Sequence, residues 1–116
     1  MQSAALSASA GNALDELAKM DIAAMKIDAI GGRGVKRDFI DLYLLCKEFT
    51  LENCLNFYVT KYPTRKDNLF HTIKSLSYFN DAEKFGEPEM LVPLNWNEVM
   101  KYFTEESNRV ADKFLQ

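Results

Sequence analysis

Residues 24–45, AMKIDAIGGRGVKRDFIDLYLL, decide how this chain is read. They divide into a helical segment with one lysine, a glycine- and arginine-rich turn, and a second helical segment opening with two aspartates. Ile22, Lys26 and Ile30 recur at i, i+4, i+8, which puts the lysine inside an apolar stripe of the first helix. Asp38, Asp41, Leu42, Leu45 and Phe49 recur at i, i+3, i+4, i+7, i+11, so both acids share a face that is otherwise apolar. Lysine and aspartate are seldom buried without partners. One lysine and two aspartates on the inner faces of adjacent helices, with arginines between them, call for a functional account.

Working outward, Leu14, Leu17, Ala18, Ile22, Met25, Ala29 and Ile30 carry the helical period back to Ala13 and predict a helix over 13–30. Gly31-Gly32 would end it by supplying the positive φ of a C-cap. Met1–Asn12, small, polar and of low complexity, reads as a mobile leader or linker ahead of a single domain over 13–116. Beyond the turn, a helix starts near Val35–Arg37 and runs to Glu48 or Phe49, with Asp38 favourable against its dipole. Thr50 caps a third helix, Leu51–Lys61, which buries Leu51, Cys54, Leu55 and Tyr58 and is broken at Tyr62-Pro63. Thr64 is the cap candidate for a helix over 65–78 with Leu69, Phe70, Ile73, Leu76 and Ser77 at helical spacing. Asn80–Pro93 reads as irregular, punctuated by Gly86, Pro88 and Pro93. Asn95, with Glu98 three residues on, opens a last helix carrying Val99, Met100, Phe103, Val110, Phe114 and Leu115. No strand pattern emerges. The expectation is an all-α fold, a compact bundle of about five helices.

A chain of 116 residues has room for one small core. Its 47% apolar content excludes wholesale disorder, and a net charge of −3 argues against a general nucleic-acid binder. Positive charge concentrates in the opening stretch, where Lys26, Arg33, Lys36 and Arg37 face only Asp28. Cys46, Cys54 and the single His71 match no metal-ligand spacing, so no metal site is expected and the thiols read as buried and free. No apolar run approaches the ~18 residues that span a bilayer, and the N-terminus lacks the pattern of a signal peptide. A cytoplasmic location is the expectation.

Lys26, Ala29-Ile30, Arg33-Gly34, Arg37-Asp38-Phe39 and Asp41-Leu42-Tyr43 together resemble the C-terminal signature of the abortive-infection nucleotidyltransferase toxins, the AbiEii/AbiGii type. Ser75-Leu76-Ser77-Tyr78-Phe79, Asp81-Ala82-Glu83, Met90 and Trp96 fit the same family's ending, so the resemblance covers roughly residues 17 to 105. It implies the helical C-terminal domain of a DNA-polymerase-β-like nucleotidyltransferase, the toxin half of a toxin–antitoxin or phage-defence pair. Such a protein moves a nucleotide from a magnesium-bound triphosphate to an acceptor, tRNA in related toxins. By that resemblance Lys26 meets the triphosphate, Asp38 and Asp41 form the acidic motif with Asp41 the more direct catalytic residue, and Arg33 and Arg37 steer phosphate. An antitoxin, or a separate nucleotidyltransferase half, is the implied partner.

The chain departs from the family in having no Gly-Ser motif and no Asp-x-Asp pair to hold two metal ions. Asp38 and Asp41 are spaced for a helix face rather than for alternate positions of a strand. The isolated chain, holding no cofactor of its own, is therefore expected not to turn over. Structural accounts stand beside these roles. Lys26 could snorkel to pair with Asp38 or Asp41, and Asp38 could tie the turn to Arg33 or Arg37. Gly31–Gly34 lacks the lysine and Ser/Thr of a phosphate loop, and the many aromatic residues read as packing. Three classes follow: a transferase domain completed by another half; a helical interaction module, whose mark is an exposed apolar face through which the chain could also oligomerise; and an RNA-binding domain using Arg33, Lys36 and Arg37.

Overall fold

The computed structural model describes residues 2–84 and 94–114, with side chains from Ala13 onward. Six α-helices and one 3-10 helix make up the described residues: α1 (Gln2–Arg33), α2 (Lys36–Phe49), α3 (Leu51–Lys61), the 3-10 helix (Pro63–Asn68), α4 (Leu69–Ser75), α5 (Asn80–Lys84) and α6 (Trp96–Phe114). No strand occurs among them, so the fold is an all-α bundle. The turn residues Gly86, Pro88 and Pro93, and also Met90 and Leu115, lie outside the described residues.

The first helix is the spine, packing against α2, α3 and α4. Its buried line is Ala23, Ala24, Ile27 and Ile30, where two adjacent alanines let neighbouring helices approach closely. This corrects the predicted stripe. Leu14, Leu17, Ile22 and Met25 are exposed, as are Ala18 and Ala29, and only Ile30 of that set is buried. The helix is apolar on two faces, and 3.6-residue periodicity alone cannot choose between them. A second correction concerns its ends. Residues from Gln2 are helical, and α1 runs through Gly31-Gly32 to Arg33, with neither glycine at positive φ.

Those glycines serve packing instead of capping. A Cβ on Gly31 would lie 3.3 Å from Thr72 Oγ1 of α4. A Cβ on Gly34 would lie 2.8 Å from Phe39 Cε2 and 3.3 Å from Ile30 Cγ2. The α1–α2 turn can be this short because Gly34 lets the Phe39 ring lie across it. Phe39 is also the hub of an aromatic cluster, with ring centroids 5.1 Å from Phe79, 6.0 Å from Trp96 and 5.7 Å from Phe103. That cluster ties α6 to α2.

Thr50 joins α2 to α3 with no linker. Its N–H donates to Cys46 C=O at 2.8 Å, ending α2, and its hydroxyl accepts the Asn53 N–H at 3.3 Å, opening α3. Doing both holds it at φ 73, ψ 154, a conformation that L side chains rarely adopt. The third helix buries Leu51, Cys54, Leu55 and Tyr58 as its periodicity predicts. The helix predicted over 65–78 is instead split. Pro63, lacking an N–H, opens the 3-10 segment, whose first bond runs from Arg65 N–H to Tyr62 C=O, and α4 begins only at Leu69. Asn80–Lys84, expected to be irregular, forms a short helix. Asn95 Oδ1 accepts the Asn97 N–H at 2.9 Å and caps α6, whose narrow inner face is Val99, Phe103, Ser107 and Val110.

Both thiols are buried and free, as expected, and the Cys46 thiol is pushed far above its ordinary pKa by its hydrogen bond with Cys54 and by burial. No helix of the described residues is long and apolar enough to cross a membrane.

Candidate functional site

The flanks of α1 carry charge at heptad spacing. Lys19 and Lys26 turn to α2, where they meet Glu48 and the aspartate pair; Asp21 and Asp28 turn to the other side, where they meet Lys61 and Arg65. Seven residues are almost two turns, so each pair repeats along one seam.

On the α2 seam, Lys26 Nζ lies 2.9 Å from Asp41 Oδ2 and 3.4 Å from Asp38 Oδ1. The Arg37 Nε lies 3.8 Å from the same Asp41 oxygen, one turn earlier on α2. Side-chain exposures of 26% for Lys26, 18% for Asp38 and 31% for Asp41 make the cluster half-buried. Burial works against the lysine's charge, but the hydrogen bond and Coulombic pull of Asp41, followed by those of Asp38, outweigh it and hold its pKa above the ordinary lysine value.

Two cations and two carboxylates meet here. An ammonium has three donors, and the aspartates engage two of them. With two positive and two negative side chains the cluster is neutral overall and ties α1 to α2 as an ion-pair network. Lys26, Arg37, Asp38 and Asp41 are brought together as the sequence predicts, though at the border of the buried stripe rather than within it. Arg33 is the exposed last residue of α1. Lys36, assigned by sequence to a basic surface, is buried, with its Nζ 4.9 Å from the centroid of the Trp96 ring. No group of three His, Cys, Asp or Glu side chains among the described residues could hold a metal ion.

Sequence reasoning missed a polar cleft of about 290 Å3 on the opposite flank of α1, where Asp28, Gly31 and Gly32 face Arg65, Asn68 and His71. Its signal in the sequence is the recurrence of Arg65, Asn68 and Thr72, interleaved with the apolar positions Leu69 and Ile73. Comparison of the chain with known protein families, with curated proteins and with solved structures finds no match.

Proposed function

We propose that this chain is the C-terminal helical part of an AbiEii-type nucleotidyltransferase toxin, acting in phage defence or as half of a toxin–antitoxin pair. In this reading Lys26 meets the triphosphate, Asp41 is its catalytic neighbour, Asp38 fixes the lysine from the other side, and Arg33 and Arg37 draw phosphate in. The Gly-Ser and Asp-x-Asp motifs absent from the chain would come from another region or another polypeptide, which would hold magnesium and the nucleoside triphosphate for transfer to an acceptor such as tRNA.

The observation that supports it is the joint hold of Asp38 and Asp41 on one half-buried lysine, at distances that fix its ammonium. The test is a thermal melt of the chain with and without each magnesium nucleoside triphosphate, repeated on Lys26→Ala. A ligand that binds only the folded state raises the midpoint by mass action. A nucleotide-selective rise is expected in the parent and not in the variant. The absence of any rise in the parent would leave the lysine a structural ion pair.

A second reading is favoured by the outer face of α1. Leu14, Ala18, Ile22, Met25 and Ala29 form an exposed apolar line at helical spacing, the mark of a surface made to be covered. In that reading the chain is a non-catalytic interaction module for an antitoxin or a separate catalytic subunit.

A further inference from the structure

We propose that the outer face of α1 is a self-association surface, on which a second copy of this chain lays its own α1 in the antiparallel sense. This occupant differs from the antitoxin or catalytic subunit considered above, and the pairing needs no nucleotide.

Ala18, Ile22, Met25 and Ala29 follow one another at steps of four, three and four residues, the spacing that keeps a seam on one side of a helix. All four are exposed, Ile22 by 44% and Met25 by 50%, and Leu14 extends the line one turn further. From Leu14 to Ala29 the line runs about 22 Å along the helix, at about 1.5 Å per residue. Monomeric proteins rarely leave so continuous an apolar surface to water.

The order of the residues indicates what covers it. Where two copies meet about a two-fold axis, one patch serves both, so residue i meets j and j meets i. Between antiparallel helices this requires a line that reads alike from either end. The α1 line does. Its midpoint falls at the level between Ala23 and Ala24; Ile22 and Met25 are equidistant from it, and so are Ala18 and Ala29. Antiparallel pairing about that level sets Ile22 against Met25 of the second copy at the centre, with alanine against alanine on both sides. The alanines let the two axes approach closely, toward the short end of the usual range of about 8–10 Å, while Ile22 and Met25 fill the middle. A face shaped for an unrelated partner has no reason for this symmetry.

The charges agree with the antiparallel sense. Asp15 and Arg33 lie on one flank of the line, eighteen residues or five whole turns apart. Antiparallel copies bring each Asp15 to within one residue of the level of the other's Arg33. Parallel copies would instead set aspartate level with aspartate and arginine level with arginine. The Asp15 side chain remains 66% exposed even with Lys19 at 3.3 Å. Between these ends the flanking charges are compensated within the chain: Lys19 by Glu48, Lys26 by Asp38 and Asp41, Asp21 by Lys61, and Asp28 by Arg65. A second copy therefore meets an apolar line bordered by balanced charge.

The test is sedimentation velocity of the chain across the micromolar range, with cysteine cross-linking to read the direction. A contact of one helix face is at the small end of specific interfaces, so the chain should pass from monomer to dimer within that range. Because the patch is used twice, Met25→Lys puts two charges at the centre and should raise the dissociation constant at least tenfold. At dilutions where the parent is monomeric the variant should melt as the parent does, since Met25 is exposed. Phe70→Lys, at an exposed apolar residue of α4, should associate as the parent does. On oxidation, Ala18→Cys mixed with Ala29→Cys should cross-link, and neither should do so alone, because antiparallel pairing leaves like positions about 16 Å apart, beyond the reach of a disulfide. The native Cys46 and Cys54 are buried, so they contribute no background. Association is read without nucleotide, which keeps its failure separate from failure of the transferase reading. A parent that stays monomeric throughout, equal loss of association in Met25→Lys and Phe70→Lys, or cross-linking of Ala18→Cys to itself would overturn the proposal.

Discussion

Gly34→Ala tests whether the α1–α2 turn is set by contact rather than by backbone conformation. No glycine of the described residues has positive φ, so alanine meets no backbone penalty at this position. What it meets is Phe39, whose Cε2 would lie 2.8 Å and Cζ 3.2 Å from the new methyl. Phe39 is fully buried and hemmed in by Phe79, Trp96 and Phe103, so its ring cannot swing aside without moving α6. Overpacking of this kind costs about 1–3 kcal/mol. The reduced freedom of the unfolded chain returns about 0.4–1 kcal/mol. A net loss of about 1–2 kcal/mol should lower the melting temperature by roughly 4–8 °C for a domain of this size. Two residues earlier, Gly32→Ala should do the opposite, since its Cβ meets nothing and alanine is the better helix former, by less than the roughly 1 kcal/mol of a helix interior because the position lies in the last turn of α1. Far-UV circular dichroism melts of both variants give the answer. A Gly34→Ala chain as stable as the parent, or a common sign for the two variants, would refute the packing account of this turn.

Two further outcomes follow from the ion-pair seam and the helix junction. Because the folded-state pKa of Lys26 lies above its ordinary value, its stabilising contribution is complete below the unfolded lysine pKa of about 10.4 and is lost as pH rises through the folded value. Urea midpoints followed upward from neutral pH should therefore fall less steeply at alkaline pH for Lys26→Met than for the parent; parallel curves would count against the pairing. At Thr50, strain at φ 73, ψ 154 costs about 1–3 kcal/mol, whereas its cap to Asn53 is worth about 1 kcal/mol. Thr50→Gly should thus be more stable than Thr50→Ala by about 1 kcal/mol or more in chemical denaturation, and the reverse order would show that the junction is unstrained.

Much of the bundle was legible because each piece carries its own local signal. Leu51, Cys54, Leu55 and Tyr58 form a single apolar stripe with no competitor, so α3 and its buried face follow from periodicity. Thr50 and Asn95 cap through side chains that lie next to the N–H groups they satisfy. The grouping of Lys26 with Asp38 and Asp41 was legible for the same reason, as each sits one or two turns from the Gly31–Gly34 segment that brings α1 against α2. What could not be read depends on contacts distant in sequence. Gly31 is explained by Thr72 and Gly34 by a Phe39 ring wedged among residues of α6, and neither reason is visible in a glycine-rich run that imitates a helix stop.

The misassigned face of α1 has a consequence for the lysine seam. Lys26 lies one turn from Ile22 and less than one from Ala29, so it borders the outer apolar line as well as the inner one. A surface laid over Ile22, Met25 and Ala29 would reach the neighbourhood of Lys26, whose side chain is 26% exposed. Exclusion of water there would strengthen the pairing of Lys26 with Asp38 and Asp41. The transferase and interaction-module readings are therefore coupled through one helix flank. A partner on the outer face would change the electrostatics of the lysine without touching its partners on α2.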